Sequence, residues 1–308
     1  MAAVAATVEA KFLAGGTNLV DLMRLGVEQP GLLVDIKRIV PRGCEVTPDG
    51  GLLIGAGTSN SELAAHPAVR EDFPVLAQAL LSGASDQLRN VATAGGNLLQ
   101  RTRCFYFQDT TKPCNKREPG TGCPARDGEH RMLAILGHSE HCVATHPSDM
   151  AVALAALDAT LHIRTPDGVR VCPLADFYRL PGDEPHRDTT LGHGELVTAI
   201  EVPPAPNRSS YRKVRDRASF AFAVVSVAAA LDVRRGAIQD VRIALGGVAH
   251  MPWRARTAEE QLRGGPASEE AFDRAAGAEL SAARPLERNA FKVELAKKVV
   301  VRTLAELA

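Results

Sequence analysis

The sequence has 308 residues, of which 45% are hydrophobic and 23% are charged. This length predicts about two domains, and the composition excludes a disordered, collagen-like or coiled-coil protein. The 36 basic side chains match 36 acidic ones, so no net positive charge favours nucleic-acid binding, and the longest mostly apolar stretch, residues 221–231, is about half a membrane span. We therefore expect no nucleic-acid partner and no membrane insertion.

A glycine turn near the N-terminus is the first feature that indicates ligand binding. Residues 10–36 are predicted to form a strand, a helix and a strand, with Gly15 and Gly16 before the helix and Thr17 or Asn18 as its cap. Without Cβ atoms the backbone amides can approach a pyrophosphate, and the helix N-terminus adds positive partial charge. An ordinary strand-to-helix turn is the alternative interpretation.

A second glycine turn follows a predicted hairpin at residues 44–54 and predicted helices at 61–66 and 75–81. The sequence TAGGNL at residues 93–98 repeats the chemistry of the first turn. Two such turns predict one large ligand that carries phosphate groups. Neither turn has the GxGxxG or Walker spacing, which argues against the usual Rossmann and P-loop sites.

Four of the six cysteines lie close together in a segment rich in proline and glycine, and they are Cys104, Cys114, Cys123 and Cys142. An ordered irregular loop of this length needs an internal cross-link. Three kinds compete: a pair of disulfides, a structural zinc ion, or an iron–sulfur cluster held by four thiolates. Nearby side chains that could complete a zinc site are His130, His138, His141 and His146.

The residues around these cysteines favour the cluster without excluding the other two cross-links. The gaps between the cysteines are wider than the short pairs typical of zinc sites, and disulfides need an oxidising compartment. A local surplus of basic side chains suits a site that holds four thiolates. Cys44 and Cys172 lie apart in strand-like contexts, where we expect buried structural thiols.

The C-terminal half begins with an apolar helix at residues 149–157, capped by Ser148 or Asp149. A hairpin is predicted at residues 160–172, and a proline-rich break follows at 203–207. Beyond the break, two long antiparallel strands at 221–233 and 238–248 precede three helices. These elements predict an α+β protein that ends in a small sheet with helices packed on it.

Four motifs together resemble the FAD-binding subunit of the xanthine dehydrogenase family of molybdenum hydroxylases. They are AGGTNLVDL at residues 14–22, RNVATAGGNL at 89–98, HPSDMAVAL at 146–154 and GELV at 194–197. The resemblance implies a two-part FAD-binding domain, made of a small βαβ subdomain and a mixed-sheet subdomain, and then a C-terminal domain with an antiparallel sheet on helices. We expect these units at residues 1–55, 56–203 and 207–308.

The cysteine-containing segment narrows the resemblance to one subgroup. It is similar to the flavin subunit of bacterial periplasmic-type aldehyde oxidoreductase, in which this loop holds a [4Fe–4S] cluster. The resemblance therefore implies an iron–sulfur loop at residues 100–146. Its implied ligands are Cys104, Cys114, Cys123 and Cys142.

The same resemblance implies which residues contact FAD. Asp149 would hydrogen-bond the cofactor near its ribityl or phosphate portion, Val197 to Ile200 would line the flavin ring, and Lys213 would lie near the ring's edge. A plain surface lysine is the alternative for Lys213. Thr93, Gly96 and Asn97 would form a second wall. The pyrophosphate would be wrapped by Lys11, Phe12, Leu13, Ala14, Gly15, Gly16, Thr17, Asn18 and Leu19.

The resemblance implies an electron-transfer role with no catalytic residue in this chain. A large subunit with a molybdenum cofactor would oxidise aldehydes to carboxylic acids, and a small subunit with [2Fe–2S] clusters would pass electrons to the flavin and on to an external acceptor. A xanthine or N-heterocycle dehydrogenase, an aromatic acyl-CoA reductase and a zinc-containing scaffold without redox function are the alternatives.

Two expectations concern the N-terminus. No export signal is recognisable there, which predicts a cytoplasmic location unless a partner subunit carries the signal to the periplasm. The family also has a further segment with an aromatic strand ahead of the equivalent of Ala3, so we expect a different start or a missing first strand.

Overall fold

Three β-sheets organise the chain in a computed structural model, which describes residues 1–206 and 208–308. Helices pack on these sheets, and the predicted α+β class is confirmed. Asn207, the predicted first residue of the last domain, lies outside the described residues. Within the described ranges, no helix is long and apolar enough to cross a membrane.

The N-terminal unit is a parallel pair of strands joined by a helix, as the pattern of residues 10–36 predicts. Ala10 pairs with Leu32, and the pairing continues to the end of both strands. The connection passes through Gly16, whose φ of +75° is a left-handed conformation that glycine adopts without strain. The elements are α1 (Ala2–Ala5), β1 (Ala10–Leu13), α2 (Leu19–Arg24) and β2 (Leu32–Asp35).

The second sheet has five antiparallel strands, which are β3 (Cys44–Val46), β4 (Leu52–Gly55), β5 (Thr160–Thr165), β6 (Gly168–Pro173) and β7 (Leu196–Val202). Their order across the sheet is β3-β4-β7-β5-β6. The predicted subdomain boundary after residue 55 would therefore place β3 and β4 apart from the other three strands of the same sheet. The reason is that an isolated hairpin cannot bury Leu52 and Ile54, whereas β7 supplies Val202 and Ile200 as their partners.

Short helices fill the sequence between β4 and β5, and several of them share one apolar core with the five-stranded sheet. Leu76 and Leu80 from one helix and Leu154 from another are fully buried in this core. The helices are α3 (Asn60–Ala65), α4 (Pro67–Glu71), α5 (Pro74–Ser82), α6 (Asp86–Val91), α7 (Ala94–Leu98), α8 (Phe105–Gln108) and α9 (Asp149–Ala156), and α10 (Leu174–Phe177) follows β6.

The C-terminal domain is an antiparallel sheet covered by helices, as predicted. Its strands are β8 (Ser209–Val214), β9 (Val225–Arg234), β10 (Ala237–Gly246) and β11 (Trp253–Arg254), in the order β11-β10-β9-β8. A second core joins Val227 and Ile243 of the sheet to Phe272 and Leu304 of the helices. The helices are α11 (Arg256–Leu262), α12 (Glu269–Leu280) and α13 (Phe291–Leu307).

Residues 104–142, here called the cysteine segment, contain only α8 and a 3-10 turn at Pro124–Arg126 as regular structure. The C-terminal domain holds the end of this segment through a buried lysine. Lys292 Nζ donates to the carbonyl oxygens of Met132 at 3.2 Å, Leu133 at 2.8 Å and Gly247 at 2.5 Å. All three ammonium hydrogens therefore have acceptors, which offsets part of the cost of burial, although burial still lowers the pKa of Lys292 to about 7.

We predict that Lys292→Met lowers the free energy of unfolding by roughly 3 kcal/mol, because three buried carbonyl groups lose their donor. Urea denaturation of the full chain measures this change. Lys298→Met in the same helix is the control, since the Lys298 side chain is 74% exposed and its substitution is expected to cost less than about 0.5 kcal/mol. Equal losses in the two variants would contradict the structural role of Lys292.

Candidate functional site

The two glycine turns touch each other. A Cβ atom at Gly15 would overlap the backbone carbonyl of Val91, which lies just before the second turn. Asn18 adds a second link, because its Oδ1 accepts a hydrogen bond from the backbone amide of Arg101 at 2.9 Å. Asn18 occupies the N-cap position of α2 but makes no side-chain capping bond, so its amide group joins the two turns instead.

The first turn presents a row of free backbone donors. In the described part of the chain, the amides of residues 15–19 donate to no protein acceptor. Successive unpaired N–H groups at the start of a helix form a concave anion-binding surface. This geometry is the one that the sequence predicts for a pyrophosphate-binding turn.

The second turn differs, because its amides are already bonded within the protein. Ala94 N donates to Thr58 O and Gly95 N to Ala56 O, both at 2.8 Å. Gly96 N donates to Thr93 Oγ1 at 3.2 Å. The two glycines of the second turn therefore form a wall that a ligand can approach closely. The hydrogen-bond donors for an anion come from the first turn.

Two cavities meet at these turns. The first has a volume of about 530 Å³ and the second about 630 Å³, both within the range of ligand sites. Their linings share Gly15, Gly16, Thr17, Asn18 and Gly96. An elongated ligand could therefore occupy both cavities while its middle lies against the free amides.

Four residues that line the double cavity have a buried polar atom with no hydrogen-bond partner among the described residues. The atoms are Asn18 Nδ2, Asn60 Oδ1, Arg101 Nη2 and Arg103 Nε. An unpaired buried polar group costs about 1–3 kcal/mol. A polar ligand toward which these side chains turn would remove that cost, so the lining suits a ligand with many polar groups, such as a dinucleotide.

Asp149 and Lys213 form a buried ion pair in the wall of the second cavity. Lys213 Nζ lies 2.8 Å from Asp149 Oδ2 and donates to Ser82 O at 3.0 Å, and the Lys213 side chain is only 5% exposed. Tyr211 donates its hydroxyl to Asp149 Oδ1 at 2.5 Å. These contacts do not fit the alternative of a plain surface lysine at position 213.

The structure distributes the other predicted contact residues over both cavities. Asn97 lines the second cavity, and its Oδ1 accepts from Ser148 Oγ at 2.6 Å, which leaves its NH₂ group for a ligand. Val197 lines the first cavity, on the opposite side of the turns from Lys213. Ile200 is fully buried in the sheet, paired with Ile54 and Leu161. The first cavity is also lined by Lys11, Phe12, Leu13, Ala14, Leu19 and Thr93.

The four clustered cysteines converge. Together with Phe107 and Lys116, they line one small cavity, here called the cysteine cavity, which is bordered by Cys104, Cys114, Cys123 and Cys142. All six cysteines of the chain are free thiols. Over residues 1–206 and 208–308, no three His, Cys, Asp or Glu side chains are grouped as ligands of a single metal ion.

The thiols in this cavity differ in acidity. A hydrogen bond from Cys142 lowers the pKa of Cys123 to about 6, although burial opposes the shift. The same bond and burial raise the pKa of Cys142 well above its usual value. Burial also raises the pKa of Cys104 to about 11. The bond from Cys142 thus favours the thiolate form of Cys123, and thiolate is the form that binds metal.

A chain of ion pairs connects the first cavity to the cysteine cavity. Lys11 pairs with Glu28, and Arg101 lies 2.9 Å from Glu28 and 2.8 Å from Asp188. Asp188 in turn pairs with the buried Lys116. Burial would raise the pKa of Asp188, but Lys116 and Arg101 outweigh it and lower that pKa to about 2.

Several of these residues were missed by sequence reasoning. Arg101 and Lys116 belong to the surplus of basic residues around the cysteines. That surplus indicates a positive environment but does not predict which side chains these two residues contact. Glu28 and Asp188 lie far in sequence from their partners. His250, whose Nε2 lies 3.2 Å from Cys142 Sγ, is also remote. No local pattern marks these three residues.

Family models match almost the whole chain. The model of the FAD binding domain in molybdopterin dehydrogenase matches residues 1–205. The model of the CO dehydrogenase flavoprotein C-terminal domain matches residues 209–307. The first match covers both glycine turns, the cysteine segment and Asp149.

Individual relatives agree with the family models. The chain is 52% identical to the aldehyde oxidoreductase FAD-binding subunit PaoB of Escherichia coli K12, over 96% of this chain and 91% of that protein. It is 28% identical to the glyceraldehyde dehydrogenase medium chain of Sulfolobus acidocaldarius, over 82% and 73%. A solved carbon monoxide dehydrogenase from Hydrogenophaga pseudoflava matches with a TM-score of 0.72 and 27% identity, covering 96% of this chain and 88% of that one.

We predict that Gly16→Val weakens FAD binding at least about tenfold, which corresponds to roughly 1.4 kcal/mol. Its new Cβ would lie 3.1 Å from Val20 Cγ2, and valine is strained at the φ of +75°. The flavin absorbance per chain after purification and dialysis measures the loss.

Gly26→Val is the matched control for this test. Gly26 has a φ of +72°, and nothing lies within 4 Å of its added Cβ, so the backbone strain is the same but the turn is unaffected. The control should retain FAD. A Gly16→Val chain with as much FAD as the Gly26→Val chain would refute the assignment of this turn as the pyrophosphate site.

Proposed function

Because this chain belongs to the family of FAD-binding subunits of molybdopterin dehydrogenases, we propose that it is the FAD- and [4Fe–4S]-binding electron-transfer subunit of an aldehyde-oxidising molybdenum hydroxylase. A large subunit with the molybdenum cofactor converts aldehydes to carboxylic acids. A small subunit with [2Fe–2S] clusters delivers the electrons, and this chain passes them to an external acceptor. The compartment of the chain is then that of the assembly.

The free amides of residues 15–19, placed where two cavities join, carry the FAD assignment. They hold the pyrophosphate, and Asn18 Nδ2 adds a side-chain donor. Bound FAD supplies the ability to exchange electrons singly or in pairs, which connects one-electron clusters to the acceptor. The chain itself contributes binding and orientation, with no proton-transfer residue of its own.

The second cavity is the better position for the flavin ring. Its lining includes Arg103, which directly precedes Cys104 in the sequence, so a ring end bound there would lie near the start of the cysteine segment. Asn97, Asp149 and Lys213 would hold this end. The contact proposed for Val197 then falls at the adenosine end, because Val197 lines the first cavity. Ile200 lies in the core of the five-stranded sheet and would support the wall of the first cavity from behind.

Four thiols that line one cavity support the cluster assignment. Each thiolate of a [4Fe–4S] cluster binds a different iron atom, whereas the four ligands of a zinc ion converge on one atom. The wide gaps between the four cysteines in the sequence, in place of the short pairs typical of zinc sites, favour the cluster over zinc. The buried ammonium of Lys116 beside them favours negative charge on sulfur.

The choice of aldehydes rests on the two relatives named above, both of which are described as parts of aldehyde-oxidising enzymes. The purified assembly, assayed with aldehydes and with purines and a dye acceptor, tests this choice. Aldehyde-dependent reduction of the dye is the expected result. Turnover of purines alone would favour the xanthine dehydrogenase alternative.

We predict that Cys114→Ser removes the iron of one four-iron cluster from the assembly and leaves most of the FAD in place. Serine cannot replace a thiolate as an iron ligand of comparable strength, while the glycine turns are unchanged. Iron analysis, the visible spectrum and low-temperature EPR of the anaerobically prepared assembly measure the effect.

Cys172→Ser is the control, since Cys172 is equally buried but lies in the five-stranded sheet. Its iron content and spectrum should match those of the unmodified protein. The cluster assignment fails if Cys114→Ser and Cys172→Ser contain the same amount of iron.

A further inference from the structure

His250 is a buried histidine of the C-terminal domain that contacts the cysteine cavity from outside the cysteine segment. The residue is 7% exposed, and its Nε2 lies 3.2 Å from Cys142 Sγ. Its other ring nitrogen, Nδ1, is buried and has no hydrogen-bond partner among the residues that the structure describes. The sulfur of Cys142 is therefore the polar contact of this side chain.

Backbone hydrogen bonds fix His250 in this place. Ile135 N and Leu136 N donate to Val248 O at 2.9 and 3.0 Å, and His146 N donates to Ala249 O at 2.9 Å. These bonds attach the chain on both sides of Cys142 to the residues that precede His250. The distance between the ring and the sulfur thus depends on main-chain contacts and not on a mobile side chain.

The surroundings decide which nitrogen carries the proton. Nδ1 is buried with no hydrogen-bond partner among the described residues, whereas Nε2 lies 3.2 Å from Cys142 Sγ. A proton on Nδ1 would be buried without an acceptor, whereas a proton on Nε2 points at sulfur, so the Nε2–H tautomer is favoured.

Given the cluster of the proposed function, we propose that His250 is a positioning residue that donates an Nε2–H···S hydrogen bond to the Cys142 thiolate and raises the reduction potential of the cluster. A donor to a ligand sulfur stabilises negative charge, and the reduced cluster is the more negative state. Lys116 also borders the cysteine cavity, but its ammonium is shared with Asp188. His250 instead places a ring nitrogen directly beside a ligand sulfur.

The test is an EPR-monitored redox titration of the anaerobically prepared assembly. His250→Phe keeps the ring volume and removes the donor, and His250→Gln keeps an N–H donor. We expect His250→Phe to lower the reduced fraction of the [4Fe–4S] cluster about tenfold at a fixed potential, a shift of about 59 mV for one electron. His250→Gln should recover most of this shift.

His146→Phe is the control for lost packing, because His146 is a neighbouring histidine whose ring makes an edge-on contact with Tyr178, with ring centroids 4.7 Å apart, and has no described hydrogen bond to a cysteine. An unchanged potential in His250→Phe with full iron content would overturn the inference and leave the proposed function intact. An unmodified assembly without four-iron signals would overturn both.

A spectroscopic measurement covers the case in which His250→Phe loses its iron. In the unmodified assembly labelled with ¹⁵N-histidine, pulsed EPR of the reduced cluster should detect a weak ¹⁵N coupling through the hydrogen bond. The absence of this coupling would overturn the role of His250 without any substitution.

Discussion

The close approach of two backbones at Gly15 and Val91 is the constraint on which the site depends. No side chain fits between them, so the first turn and the segment before the second turn form one continuous surface. The free amides of the first turn and the smooth wall of the second then face the same ligand. The two turns together line a single space and divide it in the middle. One cavity therefore lies on each side of their contact.

Side chains of the C-terminal domain hold the cysteine segment in place by hydrogen bonds, although they lie far from it in the sequence. Lys292 binds carbonyl groups at the end of the cysteine segment, and Asn289 Nδ2 lies within 3.3 Å of the carbonyl oxygens of His130, Leu133 and Ala134. The segment has little regular structure to satisfy its own backbone groups. Its order therefore depends on donors from α13 and from Asn289, two residues before that helix, and on the His250 contact.

The parts of the molecule that the sequence predicts are those with a local signal. Strand, glycine turn and helix around Gly16 follow from neighbouring residues, and so do the C-terminal strands and helices. The pairing of β4 with β7 does not, because it joins distant strands. The second turn shows the same limit: its glycines are visible in the sequence, but the acceptors Thr58 and Ala56 that occupy its amides come from another loop.

The position of the cysteine segment in the sequence also has a physical consequence. The residue before it, Arg103, and the residues after it, Pro147 and Asp149, all line the second cavity. Both ends of the segment are therefore anchored at the rim of one cavity. The ion pairs from Lys116 through Asp188 end at Arg101, which lines the first cavity, so the segment is also attached to the other half of the site. The cysteine segment is therefore held between the two halves of the double cavity, by its ends at the second cavity and by its charges at the first.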